Sequence, residues 1–160
     1  MKVQRLAVMT EVMRKGMSIR HFFEEAVRSN VPGLPFLDEH DRIIGRISVR
    51  DVFKHIAVPS SYLRLVDAIG DQTDRLDMSE QRILDSLALP VETYLLENIP
   101  SVSPASSLVK ALAIMEAYNT HYIFLIEDGK YMGLVTRMVI ASRLLDWIKE
   151  VDQGESLPSN

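Results

Sequence analysis

Two stretches of this chain align without a gap, and that self-similarity limits what it can fold into more than any other feature. Leu34-Pro35-Phe36-Leu37-Asp38 leads through a short polar stretch to Ile43-Ile44-Gly45-Arg46-Ile47-Ser48. Tyr122-Ile123-Phe124-Leu125-Ile126 leads through Glu127-Asp128-Gly129-Lys130 to Tyr131-Met132-Gly133-Leu134-Val135-Thr136. Gly45 and Gly133 stand 88 positions apart, and so do Ser48 and Thr136. Each stretch reads as strand, tight turn, strand, because short apolar runs rich in β-branched and aromatic residues are parted by turn formers. Asp128-Gly129 suits a hairpin turn, where glycine tolerates the positive φ.

A helix is predicted before each hairpin. In the first copy Ile19, Phe22, Phe23, Ala26 and Val27 form an apolar stripe that ends near Asn30. In the second, Ser103-Pro104 reads as an N-cap followed by proline at the first helical position, and Leu108, Ala111, Leu112 and Met115 share a face. Further helices are predicted after the hairpins, from Val49 to about Ile56 and from Arg137 to about Ile148. The unit is helix, strand, strand, helix, used twice. A unit of about 50 residues buries too little surface to be stable alone. Two units packed sheet to sheet would share a core, so the expected fold is a sandwich-like α+β arrangement with pseudo-twofold symmetry. The expected boundaries are residues 1–58 and 91–150 for the two repeats, 59–90 for a helical connector and 151–160 for a polar, fraying tail. In the connector, Leu63, Val66 and Ile69 suggest one short helix. Ser79 can cap a second that carries Ile83, Leu84 and Leu87, whose apolar face should pack on the body.

Composition narrows the function. The net charge of −4 speaks against general nucleic-acid binding, which needs a basic face. No apolar run approaches the ~18–20 residues of a membrane span, and the N-terminus lacks the apolar core of a secretory signal. With no cysteine there is no disulfide frame, thiolate metal site or thiol nucleophile. A soluble cytoplasmic protein is expected. No phosphate-binding P-loop, nucleophile elbow or acid–base pair is visible, so no enzymatic activity is expected. His21, His40, His55 and His121 lack zinc-ligand spacing, and no metal site is expected. The run Asp38-Glu39-His40-Asp41 falls where a hairpin turn is due and reads as a solvated turn. Tyr118 and Tyr122 could stack on a base, although aromatics at helix and strand ends usually join the core.

The doubled unit resembles the CBS domain, over roughly Val12 to Ile56 and Val91 to Ile148. Carrying the resemblance are Val102-Ser103-Pro104, the strand Leu34-Pro35-Phe36-Leu37-Asp38, and Gly45-Arg46-Ile47-Ser48-Val49-Arg50-Asp51. The last is similar to the family's Gly-h-x-Thr/Ser-x-x-Asp signature, in which h is apolar; Arg46 departs at h. The resemblance implies a tandem pair, or Bateman module, that binds an adenine nucleotide in the cleft between repeats. AMP or ATP comes first, then ADP, NAD or S-adenosylmethionine, in each case as a regulatory ligand with no cofactor required. It further implies a homodimer and a listening partner such as a transporter, channel or enzyme. Carried over by position, Ser48 would contact phosphate and Asp51 the ribose diol, with Arg50 in the same helical turn and in reach of a phosphate. These roles suit a strand end that opens a helix, where free amides favour an anion. Helix capping is the competing role for Ser48 and Asp51.

In the second copy Val139 stands where the aspartate should be, so Thr136 is expected to keep only a capping role. His121, just before the second core strand, is a further phosphate-contact candidate, with a strand-edge histidine as the alternative. The first copy lacks Ser/Thr-Pro near Arg14-Lys15-Gly16-Met17-Ser18, which should alter the wall against the base. The alternative function is a ligand-free module that dimerises and docks a partner.

Overall fold

The computed structural model describes residues 1–58 and 80–154. The first repeat runs through helix α1 (Ile19–Ser29), strands β1 (Gly33–Leu37) and β2 (Ile43–Ser48), and helix α2 (Val49–Ile56). After helix α3 (Glu80–Leu87), the second repeat runs through β3 (Ser101–Val102), α4 (Leu108–Ala117), β4 (Tyr122–Glu127), β5 (Lys130–Thr136) and α5 (Arg137–Asp152). The predicted unit therefore occurs twice. Of the connector expected over residues 59–90, only α3 and its flank fall among the described residues; the expectations for Leu63, Val66, Ile69 and Ser79 lie outside them.

Local chemistry accounts for the helix ends. Ser18 accepts a hydrogen bond from the His21 amide and starts α1, which stops at Asn30 in the left-handed conformation. In the second copy the N-cap is Ser107, whose hydroxyl accepts from the Lys110 amide, and not Ser103 as the sequence suggested. Ser103 instead bonds Ser106 in the turn after β3. Val27 also departs from its expected stripe and is 79% exposed; its neighbours Phe22 and Ala26 already fill the core-facing arc of α1. Asp38 accepts from the amides of His40 and Arg42, which fixes the first hairpin turn.

Each hairpin gains a third, parallel edge that alternation alone does not reveal. Ser101–Val102 pairs with Phe124–Leu125, and Met13 forms the matching bridge to Phe36. A second feature breaks the expected boundaries at the front of each repeat. Residues Val3–Leu6 form a 3-10 turn that packs on the second repeat, where the Val3 amide donates to the Ser106 carbonyl and Val8 pairs with Leu134. Reciprocally, the Val91–Tyr94 turn packs on the first, where the Val91 amide donates to Met17 and Leu96 pairs with Arg46. Val3 and Leu6 are buried with Val102, Met115, Ile123 and Val135, and burying them there removes their apolar surface from water.

These crossed straps explain why glycine stands in both hairpins. A Cβ on Gly45 would lie 2.6 Å from the Leu96 carbonyl oxygen. One on Gly133, whose φ is +117°, would lie 3.1 Å from that of Val8. The main core joins the repeats, with Phe22, Leu34, Ile47 and Val52 from the first and Tyr122, Phe124 and Leu134 from the second. The pair is one cooperative body. Helix α3 packs against α1 and α2, with Leu87 on the core while Leu84 is exposed. Helix α5 continues through Val151 and Asp152, beyond the start expected for the tail.

Candidate functional site

Ser48 ends β2, is buried, and occupies the N-cap position of α2. Its side chain makes no capping hydrogen bond. The phenol of Tyr122 reaches across from the second repeat to the neighbourhood of this hydroxyl. Thr136, at the same place in the second repeat, does cap: its Oγ1 accepts from the Val139 amide at 3.1 Å. The two corners share a backbone and use their hydroxyls differently.

The first corner holds more than the signature residues. Arg46 is only 7% exposed, and its position two residues before Ser48 puts both side chains on one face of β2. Its Nη1 donates to Tyr122 Oη at 2.6 Å, its Nε to the Asn98 carbonyl at 3.0 Å, and its Nη2 to Asn98 Oδ1 at 3.4 Å. The guanidinium also lies 5.3 Å from the centre of the Tyr122 ring. All these acceptors are neutral, and Arg46 forms no ion pair among the described residues. Gly33 makes room for the phenol, since a Cβ there would stand 2.3 Å from Tyr122 Oη. Burial pushes the Tyr122 phenol up from its ordinary pKa, against the pull of the Arg46 charge and the neighbouring Ser48 hydroxyl. It is a neutral hydroxyl at physiological pH, and Tyr122 belongs to the core rather than to an open stacking surface.

Asp51 lies one turn into α2, half-buried, with no hydrogen bond or ion pair to a described residue. Arg50 beside it is exposed and likewise unpaired among the described residues. Ser48, Arg50 and Asp51 thus stand together at one helix start, with Arg46 and Tyr122 behind the hydroxyl. His121 and Thr136 are placed at the other helix start, where the Arg137 amide donates to the His121 carbonyl. His121 itself is exposed. Sequence reasoning noted Arg46 only as a departure from the pattern and missed its bond to Tyr122.

Comparison with known proteins agrees with this architecture. The CBS domain family model matches residues 7–58 and 91–146, and the chain belongs to that family. It is 26% identical over 136 residues to the uncharacterized protein MJ0450 of Methanocaldococcus jannaschii, covering 76% of this chain and 72% of that protein. A CBS domain-containing protein of unknown function from Bacillus anthracis superposes with a TM-score of 0.63 at 21% identity, over 91% of this chain and 94% of the other. The CBS domain pair of protein MJ0100, solved in complex with 5′-methylthioadenosine and S-adenosyl-L-methionine, superposes with a TM-score of 0.61 at 17% identity, over 92% and 98%. No helix among the described residues is long and apolar enough to cross a membrane.

Proposed function

We propose that this chain is a regulatory module that binds an adenine nucleotide at the first corner, between the repeats, and catalyses nothing itself. The observation that carries the reading is the buried Ser48 hydroxyl at the start of α2, left free of the capping role that Thr136 performs. Ser48 and the first-turn amides of α2 beyond Val49, whose own amide donates to the Pro32 carbonyl, would receive a phosphate. Asp51, an acceptor pair without a partner among the described residues, would receive the ribose diol, and Arg50 would reach the phosphate from the solvent side. At the second corner Val139 offers no acceptor, so Thr136 and His121 would at most line a weaker site. AMP and ATP are the first candidates; the adenosine compounds bound by the MJ0100 pair make S-adenosylmethionine a necessary competitor in any panel. Occupancy would shift the packing of one repeat on the other, provided the ligand binds the two arrangements unequally. In the cytoplasm, a partner such as a transporter, channel or enzyme would read the shift.

The test is thermal unfolding with AMP, ADP, ATP, NAD and S-adenosylmethionine. A ligand at one hundred times its Kd adds about 2.7 kcal/mol of stability. Asp51→Ala should abolish the shift and Val139→Ala should leave it. No shift with any compound, or the reverse pattern in the variants, overturns the reading.

A second reading, a homodimer that docks a partner without ligand, draws on the outer surface of α5. Met138, Leu145 and Ile148 are 74%, 60% and 57% exposed there, with Leu144 and Val151 nearby. Exposed apolar patches of this kind mark interaction surfaces. Thermal unfolding with the same nucleotides separates the readings: both allow a dimer, but only the first makes a nucleotide change the chain's stability.

A further inference from the structure

We infer that Arg46 is the specificity-determining residue of this corner and selects adenosine compounds bearing an anionic 5′ group over uncharged ones. The inference rests on the nucleotide reading above and adds the ligand's charge to it. Arginine carries five N–H donors, and Arg46 uses three of them on Tyr122 and Asn98. Two therefore have no acceptor among the described residues. A buried guanidinium without a carboxylate is expensive to maintain, because neutral acceptors compensate desolvation poorly. The pseudo-equivalent residue is Leu134, fully buried in the same core, so the frame itself does not require a cation here.

The geometry shows what the cation faces. Tyr122 Oη is an oxygen that accepts from the Arg46 guanidinium at 2.6 Å, above a glycine that clears space for it. The corner is thus already arranged around an oxygen acceptor, and a charged phosphate oxygen is a stronger acceptor for the same donors than a phenol. Fixed positive charge at this point favours a phosphate and disfavours a sulfonium.

Calorimetric titration of the full chain with AMP, adenosine and 5′-methylthioadenosine tests the assignment. AMP should bind at least about tenfold more tightly than the two uncharged compounds, the ratio that one charge-assisted hydrogen bond supplies. Arg46→Leu should cut that ratio by about tenfold while adenosine affinity is retained, and Arg46→Lys should cut it less. If the leucine variant does not fold, Arg46→Gln, which preserves a donor towards Asn98 and Tyr122, gives the same comparison. Equal affinity for AMP and adenosine in the native chain, or a ratio that survives Arg46→Leu, overturns the inference and leaves the nucleotide reading in place. Failure of all three compounds to bind, together with no thermal shift from ATP, ADP, NAD or S-adenosylmethionine, overturns both.

Discussion

The two repeats present the same backbone at their closing corners and fill it with opposite chemistry. In the first, Arg46 and Ser48 meet a tyrosine from the other repeat over a glycine. In the second, Leu134 replaces the arginine, His121 the glycine, and Thr136 turns inward to cap its own helix. The difference continues into the helices that precede the hairpins. Helix α1 buries Glu25, whose carboxylate accepts from Arg28, Ser29 and the Glu11 amide, where α4 carries the half-buried Ile114. A duplicated frame thus keeps one repeat as an apolar, self-capped support and makes the other polar at its centre. Symmetry of fold does not carry symmetry of side-chain chemistry.

The comparison can be broken most forcefully at acid pH. The hydrogen bond from Arg28 outweighs burial and, with Ser29 and Glu11, lowers the Glu25 pKa from 4.5 to about 2. A folded-state pKa below the unfolded one means that the unfolded chain binds more protons in this window. The stabilisation is complete above the unfolded value and is lost as pH falls from about 4.5 towards 2. Its upper bound is about 3 kcal/mol, reduced because the Arg28 side chain is largely exposed. Urea unfolding across that range should show the loss, and Glu25→Gln should flatten it. An unchanged pH profile in the variant would show that the asymmetry at this position carries no energy.

Gly33→Ala is next, with an expected cost of about 3 kcal/mol, since its methyl group would collide with the Tyr122 phenol and approach the Ile47 carbonyl. His121→Ala, at the corresponding exposed position, should change stability by less than about 0.5 kcal/mol. Tyr122→Phe should cost about 2 kcal/mol by leaving a buried guanidinium donor without its acceptor. The capping pair follows. Thr136→Ala should lose about 1 kcal/mol with its cap, whereas Ser48→Ala gives up no capping bond and should cost less. Equal losses at the two positions would contradict the separate uses assigned to their hydroxyls. Chemical denaturation of each variant measures all five.

The sequence revealed most of the frame because the repeat is written in hydrophobic period and turn chemistry, both local. The hairpins and α1, α2, α4 and α5 follow from residues such as Phe36, Ile47, Ser18 and Asn30, whose preferences agree with their places. The crossed straps were not legible. Val3 and Leu6 correspond to Val91 and Tyr94 at the repeat's own spacing, but two apolar residues in four positions carry no sign of which partner they bury against. The cap of α4 was misplaced for a related reason, since Ser103 and Ser107 are equally good caps in isolation and only the turn after β3 decides between them. At the site, Ser48, Arg50 and Asp51 were legible because they are contiguous. The Arg46–Tyr122 contact joins residues far apart in the chain, and a single sequence holds no record of it.

The central claim is that one corner of the duplicated frame binds a nucleotide and the other supports it. Calorimetric titration of the native chain with AMP measures this most directly, through the number of sites per chain. The account predicts one site, lost in Asp51→Ala and retained in Val139→Ala. Two equivalent sites per chain, or one that survives Asp51→Ala, would contradict it.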